Sequence, residues 1–77
     1  MSAHVMVVDD EPNILSTVAP LLRSRGYEVS TAINGRLALE GIERQPPDLL
    51  VLDLGLPDID GVEVCRHVRQ NRDIPIL

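Results

Sequence analysis

The spacing of apolar positions along the chain switches repeatedly between a strand-like and a helix-like period. Val5, Met6, Val7 and Val8 form an unbroken apolar run that stops at Asp9, Asp10 and Glu11. A run without polar alternation predicts a strand covered on both faces. Pro12 suits the first turn of a helix, and Ile14, Leu15, Val18, Leu21 and Leu22 then recur at helical spacing along one predicted face. Gly26 predicts the left-handed cap that ends this helix. Pro20 lies inside it and removes one backbone hydrogen bond, which predicts a bend rather than a break.

Glu28 to Ala32, with β-branched Val29 and Thr31, reads as a short second strand followed by a turn at Asn34 and Gly35. A second helix turns Ala38, Leu39 and Ile42 inward and stops at Pro46 and Pro47. Leu49 to Leu52 form a wholly apolar third strand that ends in Asp53. Beyond the loop Leu54-Gly55-Leu56-Pro57-Asp58-Ile59-Asp60, a third helix starts near Gly61 with Asp60 as its N-cap, and is expected to bury Val62, Cys65 and Val68. Ile74 to Leu77 begin a fourth strand. This alternation predicts an α/β fold, a doubly wound parallel sheet with right-handed crossovers. Functional groups of such sheets collect outside the carboxyl ends of the strands, where Asp9, Asp10 and Asp53 all lie.

Composition narrows the reading. Seventy-seven residues make at most one small domain, and 44% hydrophobic with 25% charged residues is a globular balance. Tyr27 is the one aromatic residue, so the core must be aliphatic. A net charge of −5 and a complete lack of Lys argue against direct nucleic-acid binding by this segment, because phosphate backbones are held by clustered cations. Cys65 has no second cysteine to pair with, and the start of the chain has neither the basic region nor the long apolar run of a signal or membrane segment. A cytoplasmic setting and no membrane partner are expected. Cys65 reads as a small core residue, and His4 and His67 as surface residues without metal-ligand spacing.

Gathering Asp9, Asp10 and Asp53 at one edge is electrostatically unfavourable, and a bound cation would relieve it. Magnesium is the natural choice: it prefers oxygen, keeps several waters, and pairs one or two carboxylates with phosphate oxygens. Strand alternation sends Asp9 and Asp10 to opposite faces, so they converge only if the strand gives way to loop there. By spacing alone, a solvated acidic strand end remains an equal reading. The string Asp58-Ile59-Asp60-Gly61 does not make a calcium loop, since Leu56 and His67 stand where its first Asp and closing Glu belong.

The segments Val7-Val8-Asp9-Asp10-Glu11-Pro12 and Leu52-Asp53-Leu54-Gly55-Leu56-Pro57-Asp58-Ile59-Asp60-Gly61 resemble the receiver domain of bacterial two-component response regulators. Arg25 to Val29 and Asn34-Gly35 also resemble family positions, so the resemblance spans the chain as one receiver domain, residues 1–77. It implies the flavodoxin-like strand order 2-1-3-4-5. It further implies that Asp53 is the phosphoacceptor and that Mg2+ is held by Asp10, Asp53 and the Gly55 backbone carbonyl, with Asp9 assisting through water. Glu11 has a minor part, and Pro57 and Gly61 shape the loop. The implied partners are a sensor histidine kinase and a downstream output domain, often DNA-binding in this family. The family's Ser or Thr after strand four and Lys after strand five have no counterpart up to Leu77, so the fold is expected to stop after its fourth strand. The resulting open edge would favour self-association or strand exchange. Two competing functions remain: a degenerate receiver that only binds proteins, and a Mg2+-dependent phosphohydrolase with an aspartyl nucleophile. The latter expects Asp-x-Asp, whereas position 55 is Gly.

Overall fold

The computed structural model describes residues 2–53, 55–71 and 73–77; Leu54, part of the loop motif, lies outside them. Strands β1 (His4–Val8), β2 (Glu28–Ala32) and β3 (Leu49–Leu52) alternate with helices α1 (Pro12–Ser24), α2 (Gly35–Arg44) and α3 (Gly61–Asn71). The strands are parallel in the order β2-β1-β3, with Val8 level with Ala32 on one side and Leu52 on the other. All five residues of β1 are buried, as the unbroken apolar run requires of a central parallel strand.

The alternation of side chains across β1 divides the interior in two. Met6 and Val8 join Leu50, Leu52, Ala38, Ile42, Val64 and Val68 in the larger core, under α2 and α3. Val5 and Val7 meet Leu15 of α1 on the other face, where Leu49 and Val51 are only half-buried. The sheet is therefore wound on both faces, as expected.

Two helices are rotated from their predicted faces. In α1 the buried stripe is Leu15 and Ala19, flanked by half-buried Val18 and Leu22, while Ile14 and Leu21 are 41% and 56% exposed. Of two stripes that fit the same period, the one carrying the small Ala19 faces the sheet. In α3, Val64 and Val68 are fully packed, Cys65 is half-buried against the core, and Val62 is 53% exposed. Helix α1 continues through Pro20, and Gly26 takes the expected positive φ, 91°.

Asn34 and Gly35 do not form a free turn; Asn34 is the N-cap of α2, its Oδ1 accepting from the Leu37 N–H at 2.8 Å. His4 is not a surface residue. It is 7% exposed, its Nε2 lies 2.8 Å from Ser30 Oγ, and its backbone N–H donates to Asp48 Oδ2 at 2.7 Å. His4 pairs with Glu28 in the register of β1 with β2, and Ser30, two residues further along β2, meets its ring. His67 is exposed, as predicted. Residues 74–77 lie beside β3 in parallel, but as a bridge between Leu50 and Ile76 rather than a full strand. Leu50 N–H donates to Pro75 O and Leu77 N–H to Leu50 O; Pro75, having no N–H, cannot extend this ladder backwards.

The rotation of α3 gives a direct test. Val64→Ala should destabilise the fold by about 1.5–3 kcal/mol, the transfer of two methyl-sized groups plus a cavity. Val62→Ala, two positions away, should change stability by less than about 0.5 kcal/mol. Urea midpoints with the order reversed would mean that α3 presents its other face to the sheet.

Candidate functional site

The carboxyl ends of β1 and β3 finish level with one another, and the acids follow from that. Asp9 continues the ladder by one bond, its N–H donating to Ala32 O at 3.0 Å, while the Asp53 N–H donates to Val8 O at 3.0 Å. Strand β1 ends at Val8, so Asp9 and Asp10 sit in the turn into α1 and escape strict alternation. One carboxylate oxygen each from Asp9, Asp10 and Asp53 lies within 4.8 Å of the other two. Asp9 and Asp53 are half-buried and Asp10 is exposed.

Short local bonds orient two of these groups. Asp9 Oδ1 accepts from the Glu11 N–H at 3.0 Å, closing the turn that starts α1 with Pro12 at its first position. The part of Glu11 in the site is thus its backbone. Asp53 Oδ1 accepts from the Gly55 N–H, also at 3.0 Å. A Cβ at position 55 would meet Asp53 Oδ1 at 3.6 Å, an ordinary contact, so sterics do not demand glycine there. The ion pairs Arg36–Glu40 and Arg66–Glu63 are exposed pairs on helix surfaces; among the described residues no arginine neutralises the three aspartates.

Three uncompensated carboxylates with hard oxygen donors and an open, solvated side suit a small divalent cation that retains waters. They lack the imidazole or thiolate that zinc and copper prefer. The donor set therefore fits Mg2+. A cleft of about 490 Å³, lined by His4, Met6, Ser30, Leu37, Gly41 and Arg44 among others, contains none of the three acids. Volume does not mark this site; the convergence of charge does.

The loop after Asp53 is fastened at a point that sequence spacing does not reveal. Asp58 Oδ1 accepts from the Gly35 N–H at 2.8 Å and from the Ile59 N–H at 2.9 Å, and Oδ2 accepts from the Arg36 N–H at 2.9 Å. Asp60 caps α3 as predicted, Oδ1 accepting from the Val62 N–H at 3.0 Å. Pro57 is exposed in the bend between these anchors, and Gly61 is the buried first residue of α3. The Asn34-Gly35 pair just before a helical run carries a capping signal for α2, but nothing local points to Asp58.

The fold and site define an α/β domain with an acidic pocket at the carboxyl ends of β1 and β3. Comparison with known proteins then places it. The family described as response regulator receiver domain matches residues 5–77. The chain is 45% identical over its full length to the alkaline phosphatase synthesis transcriptional regulatory protein PhoP of Bacillus subtilis, and covers 32% of that protein. It superposes with a TM-score of 0.90 on the N-terminal domain of a response regulator receiver protein from Methanoculleus marisnigri, at 35% identity, covering 96% of this chain and 63% of the other. Response regulator TrrA of Thermotoga maritima, solved in complex with Mg2+-BeF, matches with a TM-score of 0.89 and 40% identity over 99% of this chain and 66% of its own. TrrA has also been solved in complex with the histidine kinase ThkA. The chain belongs to the response regulator receiver family. It spans about a third of the length of the curated relatives it matches.

The Asp58 bonds have a consequence in acid. The Arg36 backbone N–H above all holds this carboxyl below its ordinary value of 3.8; loss of hydration opposes it, and the Gly35 and Ile59 N–H groups add to the lowering. Its stabilising contribution is therefore complete above the ordinary carboxylate range and is lost as pH falls through the lowered folded value. Acid titration of stability from about pH 5 to about pH 2 should show a shallower fall in Asp58→Asn than in the native protein; identical slopes would show that the three bonds do not form in solution.

Proposed function

We propose that residues 1–77 are a receiver domain, or the larger part of one, and that Asp53 accepts a phosphoryl group from a histidine of a sensor kinase. The carrying observation is the convergence of Asp9, Asp10 and Asp53 within 4.8 Å at adjoining strand ends. Asp10 and Asp53 would hold Mg2+ with the Gly55 carbonyl, and Asp9 through water. When bound, the cation neutralises the acids and draws charge from the phosphoryl oxygens. Asp53 has two oxygens, one for the cation and one for attack on phosphorus. As the new O–P bond forms, the P–N bond to the kinase histidine breaks, and its electron pair returns to the imidazole, which takes up a proton. The Gly55 N–H restrains the Asp53 side chain, reducing the ordering needed before attack.

The solved complex of TrrA with a histidine kinase supports a kinase partner, and the transcriptional regulators among the relatives support an output domain in a longer protein. The reading makes this chain a regulatory acceptor rather than an enzyme. Gly55 stands where an aspartyl phosphohydrolase would carry its second acid. A cytoplasmic setting fits; among the described residues no helix is long and apolar enough to cross a membrane. The outer edge of β3, covered among the described residues by 74–77, is the place where a second copy would add or exchange a strand.

In the full-length protein, acetyl phosphate with Mg2+ should label Asp53 with a hydroxylamine-labile adduct, and Asp53→Asn should abolish it. Asp10→Asn should raise the Mg2+ concentration for half-maximal labelling about tenfold or more, equivalent to ~1.4 kcal/mol of lost binding. Labelling elsewhere, or labelling indifferent to Mg2+, would overturn the assignment.

A further inference from the structure

We propose that Asp58 is a positioning residue for the cation pocket, clamping the loop that carries Gly55 onto the first turn of α2. This rests on the phosphoacceptor reading and adds a residue to it. An α-helix leaves four N–H groups without partners in its own first turn. In α2, with Asn34 as its N-cap, three of these are met by side chains: Gly35 and Arg36 donate to Asp58 and Leu37 to Asn34 Oδ1, before Ala38 makes the first intrahelical bond, to Asn34 O. Half of this helix terminus is thus satisfied by a carboxylate arriving from another segment, 23 residues from Gly35 and 22 from Arg36 along the chain. The negative side chain also lies at the positive end of the helix dipole.

The approach is close enough to constrain sequence. A Cβ on Gly35 would come within 2.9 Å of Ile59 Cβ and 3.3 Å of Val64 Cγ2, so glycine lets the loop and α3 settle against α2. The loop is thereby pinned at three places. Its start is held by the Gly55 N–H on Asp53 Oδ1, its middle by Asp58 on α2, and its end by Asp60 on α3. Only Leu56 and Pro57 separate Gly55 from the middle anchor, and Pro57 has a fixed φ. Loss of the Asp58 bonds would release Gly55 to Ile59 between the two outer anchors and weaken any ligand that Gly55 contributes.

The test separates positioning from simple helix capping by comparing two lost caps on one helix. Asp58→Ala removes the bonds to Gly35 and Arg36 together with the hold on the loop. Asn34→Ala removes a cap from the same turn and leaves the loop bonds in place. Mg2+ binding to the full-length protein is measured by calorimetry, and stability by thermal unfolding. Asp58→Ala should raise the Mg2+ dissociation constant about tenfold, as losses of supporting residues around metal ligands do, and Asn34→Ala by less than about twofold, although both lower the melting temperature. Equal shifts in the two variants, or an unchanged dissociation constant in Asp58→Ala, would reduce Asp58 to a cap and overturn the inference. Native protein that binds no Mg2+ would overturn the phosphoacceptor reading itself. Amide exchange in the native protein provides a readout that needs no variant to fold. Coupling is reciprocal, so saturating Mg2+ should slow exchange of the Gly35 and Arg36 amides relative to Leu37; no difference among the three would count equally against the clamp.

Discussion

The parallel pairing of β1 with β3 is the constraint on which the rest of the molecule depends. Because Val8 and Leu52 are level, the next residues of both strands emerge side by side, with the Asp53 N–H still bonded to Val8 O. Carboxylates 44 positions apart in the chain are thereby held in one pocket. Two unit charges about 4 Å apart repel by roughly 1 kcal/mol in water and about 4 kcal/mol at an effective dielectric of 20. The strands cannot relax this repulsion by separating without exposing Val8, Leu50 and Leu52, which are almost wholly buried beneath it. A charge-rich rim over a rigid aliphatic core is thus the arrangement that makes a cation welcome.

The two faces of the sheet contribute unequally. Under α2 and α3, the core runs from Met6 and Val8 through Leu50 and Leu52 to Val64 and Val68. Under α1 it is thinner, leaving Leu49 and Val51 half-exposed. The thicker face is also the one against which the loop after Asp53 lies, with Leu56 and Ile59 packed on its margin. The loop therefore borrows rigidity from below through apolar contact and from the side through Asp58. The Arg69 side chain, bonded to Ile74 O, similarly ties the end of α3 to the residues that bridge to β3. Separate hydrogen bonds thus fix the start, middle and end of the loop and the end of α3 beside the larger core.

Much of this was legible in the residues taken in order. An unbroken apolar run ending in acids marks a buried parallel strand and the edge where its chemistry lies, and Pro12, Gly26 and Asp60 mark helix ends, because each acts within a few residues of itself. The bounds of β2 and β3 and the acidic set at the strand ends followed from such local signals. Tertiary structure decided what periodicity leaves degenerate. A helical repeat defines its apolar face only to within a broad stripe, so whether α1 buries Leu21 or Ala19, and α3 Val62 or Val64, was settled only by the packing of each helix in the folded domain. It also decided the burial of His4, which depends on a neighbouring strand, and the partnership of Asp58 with α2, which depends on a helix 22 residues away. Hydrogen bonds between distant segments have no characteristic spacing in the chain; they exist only once packing has set the distance.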